Sequence, residues 1–354
     1  MKRPHNVGYR QSLFGYNSLK WDKRIEPVRY QEAKKSYVET LELVSANAIN
    51  KFFALATAQS NYDIASFNYA NADTLYRYAQ GRYNIGTITE NEMLQLELNR
   101  LTEETNRMNA RIEMDNCMQE LRSYLGIQEE REIRVRVSSR IPDFSINLNE
   151  ALALAYENSP DIQTMKRRKL ESESAVARAR ANAGLKADIY LRFGLTQTAD
   201  KLPEAYRNLL DQQYVSLSIS LPILDWGRGK GQVRVARSNR DLVYTQVEQS
   251  RTDFELNVRK LVKQFNLQTQ RVRIAARTDE TAQRRNEVAR KLYILGKSTI
   301  LDLNASISEK DSARRNYVSA LYNYWSLYYT LRSMTLYDFE SNKLLTEDYN
   351  LLIE

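Results

Sequence analysis

Glycine and proline are scarce in this 354-residue chain, at 11 and 6. All six prolines (Pro4, Pro27, Pro142, Pro160, Pro203, Pro222) lie outside residues 28–141 and 223–354, and from Gln232 onward the one glycine is Gly296. A globular domain uses both residues more often, to end elements and turn the chain. Long windows without breakers, filled with Ala, Leu, Gln, Glu, Arg and Asn, predict very long helices. Such helices call for a coiled coil or a tube rather than an ordinary globule. Cys117 is the one cysteine and His5 the one histidine. That excludes an intrachain disulfide, a His/Cys metal site and a Ser-His-Asp or Cys-His nucleophile built from one chain. There is no Asp-x-Asp-x-Asp-Gly loop either, so no enzyme activity, cofactor or metal is expected. No apolar run approaches the ~18 residues of a membrane helix. The opening "MKRPHNVGYRQSLFGYNSLKW" has no apolar core and does not read as a signal peptide. Barrel strands stay possible, because their alternation is a weak signal. The net charge of +8 sets 52 Lys+Arg against 44 Asp+Glu, mixed as in "RTDETAQRRNE". Solvated helix faces with ion pairs explain this better than a nucleic-acid groove.

What is there is a repeat. "RYNIGTITENEML" (82–94) and "LYILGKSTILDL" (292–303) each place a Tyr three residues before a Gly and an acid six after it. The offset is constant: 296 − 86 = 210. A helix is expected from Pro27, a good first-turn residue, to Tyr83, and another from Thr89 to Tyr124, ended by Gly126. Residues 1–26 read as extended. Ile133, Val135 and Val137 alternate with Arg134 and Arg136, which predicts a short strand. A short helix, a break at Pro160 and a longer helix to Ala183 follow. Residues 187–197 and 213–223 then alternate strictly. Ile189, Leu191, Phe193, Val215, Leu217 and Ile219 fall on one face; Arg192, Ser216 and Ser218 fall on the other. A soluble hairpin or a barrel wall with a wet lumen would both look so. A helix of roughly 60 residues, on the order of 90 Å, runs to Leu295. A last helix, Thr299 to Leu336, carries Tyr317, Leu321, Tyr324 and Tyr328 at helical spacing. "DWGRGKGQVRVA" sets Gly227, Gly229 and Gly231 between strand and helix, where phosphate loops sit, but its spacing fits no phosphate motif. A tight joint is the better reading.

These features together resemble the TolC-like outer membrane efflux proteins. "LNEALALAYENSPDIQTMKRRK" is similar to a family helix, through Leu148, Glu150, Ala151, Ala155, Pro160 and Ile162. Leu221-Pro222-Ile223, Gly227-Arg228 and Ala236 resemble its strand-to-helix joint, and the two Tyr-x-x-Gly turns resemble its periplasmic tips. The resemblance implies a mainly α fold of long antiparallel coiled-coil hairpins in two repeats. A small β part would join a trimeric 12-stranded membrane barrel. It implies residues 1–26 as the remnant of a first-repeat strand and joint, and 27–131 as the first hairpin with its tip near 84–88. Residues 132–147 would be an equatorial strand and linker, and 148–185 the leading helices of the second repeat. Residues 186–226 would be the barrel hairpin, 227–336 the second helical hairpin with its tip near 294–298, and 337–354 a tail. An N-terminal truncation is expected, since the family's first helix, first strand and signal peptide have no counterpart here.

The implied function is an outer membrane channel-tunnel of a tripartite efflux or type I secretion system. It would be a homotrimer in outer membrane lipid, joined by a periplasmic adaptor to an inner membrane pump, with no nucleic acid involved. Arg82, Tyr83, Gly86, Thr87, Gly296, Lys297 and Ser298 would dock the adaptor. Ile189, Leu191, Phe193, Val215, Leu217 and Ile219 would face lipid. Glu92, Tyr293 and Asp302 would form the periplasmic gate, with Glu92 hydrogen-bonded to Tyr293 and Asp302 lining the constriction. Ala305 replaces a neighbouring lumen acid, and Ser298 stands where a latch Arg is often found. The alternative is a soluble coiled-coil scaffold, against which the two-faced strands argue.

Overall fold

The computed structural model describes residues 5–129, 132–138, 141–196, 210–221 and 223–345. β1 (His5–Ser12) leads into α1 (Ser18–Asn84) and α2 (Glu90–Leu125). Next come α3 (Leu148–Asn158), α4 (Pro160–Ala183), β2 (Lys186–Thr196) and β3 (Leu210–Ser220). α5 (Arg228–Ile294) and α6 (Ile300–Thr335) follow, and β4 (Tyr337–Asp338) and β5 (Lys343–Leu344) close the described chain. The offset seen at the tip glycines holds at four helix ends, since 228 − 18, 294 − 84, 300 − 90 and 335 − 125 all equal 210. α1 and α5 have 67 residues each, α2 and α6 36 each. One helical hairpin is built twice.

The chain divides into two compact units, Met1–Ser36 with Pro160–Glu255 and Tyr37–Ser159 with Leu256–Glu354. In the first, β1, β2 and β3 form an antiparallel sheet in that order. Leu191 pairs with Tyr9 on one side and Val215 on the other, and Ile189 pairs with Leu217, so the apolar residues share one face. α4 is tied to the start of α1 by Arg167, whose guanidinium donates to Glu32 at 2.5 Å and to Glu171 at 3.0 Å. The Arg167 fork holds the Glu32 carboxyl below the usual carboxylate range, and the Thr164 hydroxyl assists.

The second unit is packed in heptads. Ala58, Ala65, Ala72 and Ala79 of α1 are buried at seven-residue spacing, as are Val258, Phe265, Val272, Asp279 and Asn286 of α5. That is the coiled-coil period, and an alanine seam lets helices approach closely. The centre is aromatic. Phe265, Tyr324 and Tyr328 are fully buried, with ring centroids 5.1 and 5.9 Å from Phe265 to the two tyrosines. The Tyr324 hydroxyl donates to the Pro142 carbonyl at 3.0 Å, so its polar atom is satisfied.

Four expectations are corrected. α1 starts at Ser18, so residues 18–26 are helical and Pro27 lies inside the helix. Asn17 makes this start, its Oδ1 accepting the Lys20 N–H at 3.0 Å, while Pro27 costs the helix one hydrogen bond. Residues 132–138 are not a strand, although Ile133, Val135 and Val137 do alternate inward. Among the described residues no strand pairs with them. The Gln59 carboxamide takes that place, accepting from the Val135 N–H at 3.2 Å and donating to the Ile133 carbonyl at 3.5 Å. Ile133 and Val135 pack on the Leu55, Ala58, Met114 and Leu121 cluster. β3 ends at Ser220, which leaves Leu221 and Ile223 in the joint. The residues after Leu336 begin as a small β4–β5 hairpin. Between the expected strands 187–197 and 213–223, residues 198–212 are expected to link the pair; residues 197–209 lie outside the described ones, and 210–212 belong to β3.

Candidate functional site

Both hairpin tips are built by the same bonds. Gly86 and Gly296 have φ of 72° and 68°. The Gly86 N–H donates to the Tyr83 carbonyl and the Thr87 N–H to the Arg82 carbonyl, both at 2.9 Å. The second tip matches, with Gly296 to Tyr293 at 3.0 Å and Lys297 to Leu292 at 2.9 Å. This paired closure is a Schellman end, which wants glycine in the left-handed region. Nothing lies within 4 Å of where a Cβ would stand at either glycine. Conformation, not crowding within the chain, requires them.

Three residues after each tip glycine, the returning helix opens with a capping box. Glu92 Oε2 accepts the Thr89 N–H at 2.8 Å, and the Glu92 N–H donates to Thr89 Oγ1 at 3.3 Å. Asp302 Oδ2 accepts the Thr299 hydroxyl at 2.7 Å and the Ser298 hydroxyl at 3.3 Å, and the Asp302 N–H donates to Thr299 Oγ1 at 3.1 Å. The Thr89 amide and hydroxyl hold the Glu92 carboxyl below its ordinary value, and the Thr299 hydroxyl and amide do the same for Asp302. The expected Glu92–Tyr293 hydrogen bond is not formed within the chain. The cap commits the carboxylate to Thr89 instead. The two groups still feel each other: burial raises the Tyr293 phenol, Arg82 opposes, and the Glu92 charge and Tyr78 add to the rise. The Thr-x-x-Glu and Thr-x-x-Asp spacings carry this capping signal in the sequence. Reading the acids only as gate residues passes over it.

The other expected tip residues are arranged as follows. The Arg82 guanidinium lies 5.9 Å from the Tyr78 ring centroid, and the Thr87 hydroxyl donates to the Arg82 carbonyl at 3.0 Å. Tyr83, Lys297 and Ser298 are at the surface. The sequence reading missed Ile85 and Leu295, which directly precede the tip glycines and are 74% and 67% exposed. Their signal is an apolar residue at the same place in two turns that should be polar. Behind the second tip lies a cavity of about 150 Å³, lined by Leu75, Tyr78, Ile294, Leu303 and Ile307 among others. Next to it the heptad core turns polar. Asn286 donates to Ser306 at 3.0 Å, and Arg314 pairs with Asp279 at 3.1 Å.

The sheet places Phe193, Val215, Leu217 and Ile219 on an exposed apolar face and half-buries Ile189 and Leu191 on the same face. The opposite face carries Ser216, Ser218 and Arg192, with Tyr190 edge-on to Tyr214 at 6.1 Å. The glycine-rich joint holds no vacant amides for a phosphate at Gly227 and Gly229. Asp225 accepts both, at 3.0 and 2.8 Å.

A family model described as outer membrane efflux protein matches residues 151–335. The chain belongs to this family. The outer membrane protein TolC of Escherichia coli (strain K12) is 21% identical over 311 residues, covering 85% of this chain. The chain spans 61% of that relative's length. The fold is that of the Campylobacter jejuni CmeC outer membrane channel, with a TM-score of 0.74, 14% identity, and coverage of 100% of this chain and 80% of that one. The outer membrane protein VceC of Vibrio cholerae gives 0.72 and 15% identity, over 93% of this chain and 78% of VceC. The family match covers α5 and α6 but not the first hairpin. The 210-residue offset between the helix ends extends the same plan to α1 and α2. Among the described residues no helix of this efflux-family chain is long and apolar enough to cross a membrane, which says nothing of a barrel.

Proposed function

We propose that the chain is the channel-tunnel subunit of a tripartite efflux or type I secretion system in the outer membrane of a Gram-negative bacterium. It is a passive exit duct with no chemistry of its own, working as a homotrimer with a periplasmic adaptor and an inner membrane pump. The observation that carries this reading is the three-stranded sheet with one exposed apolar face in a chain that also builds one long helical hairpin twice. In water that face is a liability; in lipid it is the wall of a barrel. Three protomers must close the sheet, since a free strand edge is not tolerated in hydrocarbon. A 12-stranded barrel takes four strands per protomer, of which the described residues supply three. The direct test is the oligomer extracted from outer membranes together with its conductance in planar bilayers. A monomer without conductance sinks the duct.

The tips dock the adaptor through Ile85 and Leu295 as well as Tyr83 and the glycine turns. Gly296→Val puts a β-branched residue at φ 68°, a conformation it adopts poorly. The expected result is an intact trimer with adaptor cross-linking at the tip lost. Unchanged cross-linking and efflux would leave Gly296 with the turn alone.

The constriction is set by Asp302, three copies of which around one axis attract cations. Because Asp302 also caps α6, Asp302→Ala would mix two effects. Asp302→Asn keeps an oxygen to accept the Thr299 hydroxyl and removes the charge. It should raise the trivalent cation concentration needed to block the channel by about ten-fold or more, a loss on the order of 1.4 kcal/mol per tenfold. Unaltered block places the constriction elsewhere. Opening is helped by the polar heptad positions Asp279 and Asn286, because polar core residues specify register at a cost in stability.

A further inference from the structure

The strand-to-helix joints hold exposed apolar side chains beside exposed cations. Trp226 is 95% exposed, and Ile223 and Leu224 beside it are exposed as well. Trp226 also has φ of 52°, a left-handed backbone that is costly for a bulky aromatic. Its neighbours enforce this. Asp225 accepts the amides on both sides of Arg228, and an added Cβ on Gly229 would stand 2.9 Å from the Ala183 Cβ of α4. An indole is thus held out into solvent, under strain, with no ring or hydrogen-bond partner among the described residues.

Cations follow at once. The first 13 residues of α5, "RGKGQVRVARSNR", contain five Arg and Lys and no acid. A helix start favours the opposite charge. Arg228, Arg234 and Arg237 make no ion pair among the described residues. The order of residue types recurs at the other joint with the 210-residue offset: Leu13 and Ile223, Phe14 and Leu224, Tyr16 and Trp226, Lys20 and Lys230, Arg24 and Arg234. There Leu13, Phe14 and Lys20 are exposed, while Tyr16 is half-buried with its hydroxyl 2.6 Å from that of Ser174, and Arg24 pairs with Glu173 at 3.7 Å. Ser12 pairs with Asp188 and Ser220 with Lys186, so both joints leave the sheet at the same end.

Exposed aliphatics, then an aromatic, then cations is the sequence of chemistries met on leaving a bilayer through its headgroups. A nucleic-acid surface would use the cations but gain nothing from Ile223 and Leu224. We propose that the two joints form a basic, aromatic collar that docks on the headgroups of an anionic phospholipid leaflet, with Trp226 at headgroup depth and Lys20, Arg228 and Lys230 on the phosphates. This rests on the reading of the sheet as a barrel wall. The headgroup layer is about 5–8 Å deep and the helix rises about 1.5 Å per residue, so Arg228 and Lys230 fall inside it and Arg237 beyond it.

The test uses the purified full chain and two vesicle preparations, phosphatidylcholine alone and phosphatidylcholine with about 30 mol % phosphatidylglycerol. The wild type should bind the anionic vesicles about ten-fold more tightly or better at low salt, and the preference should shrink as salt rises. Arg228→Gln with Lys230→Gln should reduce the preference about five-fold or more and leave binding to phosphatidylcholine unchanged, while Arg237→Gln should reduce it by less than about two-fold. Indole fluorescence should shift to the blue on binding, and W226F should lose that shift. A wild type that binds both vesicles equally, or a double variant that keeps the full preference, overturns the collar and leaves the barrel reading standing. Failure to bind either vesicle removes both. If the double variant does not assemble, the salt dependence of the wild-type preference and the W226F spectrum decide the matter.

Discussion

Leu217→Arg should abolish recovery of the trimer from outer membranes, while Ser218→Arg should leave it largely intact. The two residues are neighbours on β3, and successive side chains of a strand point to opposite faces. Leu217 pairs with Ile189, next to the Leu191–Val215 pair, on the exposed apolar face. A guanidinium there costs about 2–4 kcal/mol at the bilayer midplane, and three protomers incur the cost together. Ser218 pairs with Asp188, which already holds Arg10 at 3.6 Å on the polar face. An added arginine meets a carboxylate and, in a duct, water. The measurement is the amount of trimer in washed outer membranes for each variant at matched expression. Equal recovery of both variants contradicts the assignment of Ile189, Leu191, Phe193, Val215, Leu217 and Ile219 to lipid, and recovery of Leu217→Arg alone inverts it.

Phe265→Ala should be the most damaging single truncation in the helical part of the chain. Phe265 is fully buried and meets three aromatic rings, with centroids at 5.4 Å to Phe144, 5.1 Å to Tyr324 and 5.9 Å to Tyr328. Aromatic side chains bury the most apolar area per residue, so this cluster of four rings carries a large share of the local buried apolar surface. Three rings and the Pro142 anchor of Tyr324 cannot all move into the vacated space. The expected cost is about 3–5 kcal/mol, or roughly 10 °C in melting temperature. Val288→Ala, at an exposed site on the same helix, should stay within about 0.5 kcal/mol. Melting temperatures within a degree or two of each other would show that the stability resides elsewhere.

Local physics made much of the fold legible. A chain with few breakers forms long helices, and Gly86 and Gly296 in the left-handed region end α1 and α5. The constant offset of 210 at Gly86 and Gly296 reaches every end of both hairpins because caps and breakers act within a few residues. The alternation at 187–197 and 213–223 is also local, a consequence of the two-residue period of a strand. The Thr89–Glu92 and Thr299–Asp302 boxes are equally local, since a Thr three residues before an acid is by itself a capping signal.

Other features depended on partners distant in sequence. Whether Ile133, Val135 and Val137 become a strand depends on a neighbour, and the neighbour is one glutamine side chain, Gln59, 74 residues away from Ile133. The alternation is the same in either case. The sequence cannot show that Asp279 and Asn286 occupy coiled-coil core positions, because a polar residue on a long helix is ordinarily solvated; burial reveals it only when Arg314 and Ser306 are brought opposite. Pro27 reads as a helix start until Asn17 is seen capping ten residues earlier. Trp226 reads as a joint residue until its backbone and exposure are known together. Composition, caps and periods set where each helix and strand lies along this chain. Which side chains face one another was decided only by packing, because burial and pairing energies belong to two elements at once and leave no mark within either one alone.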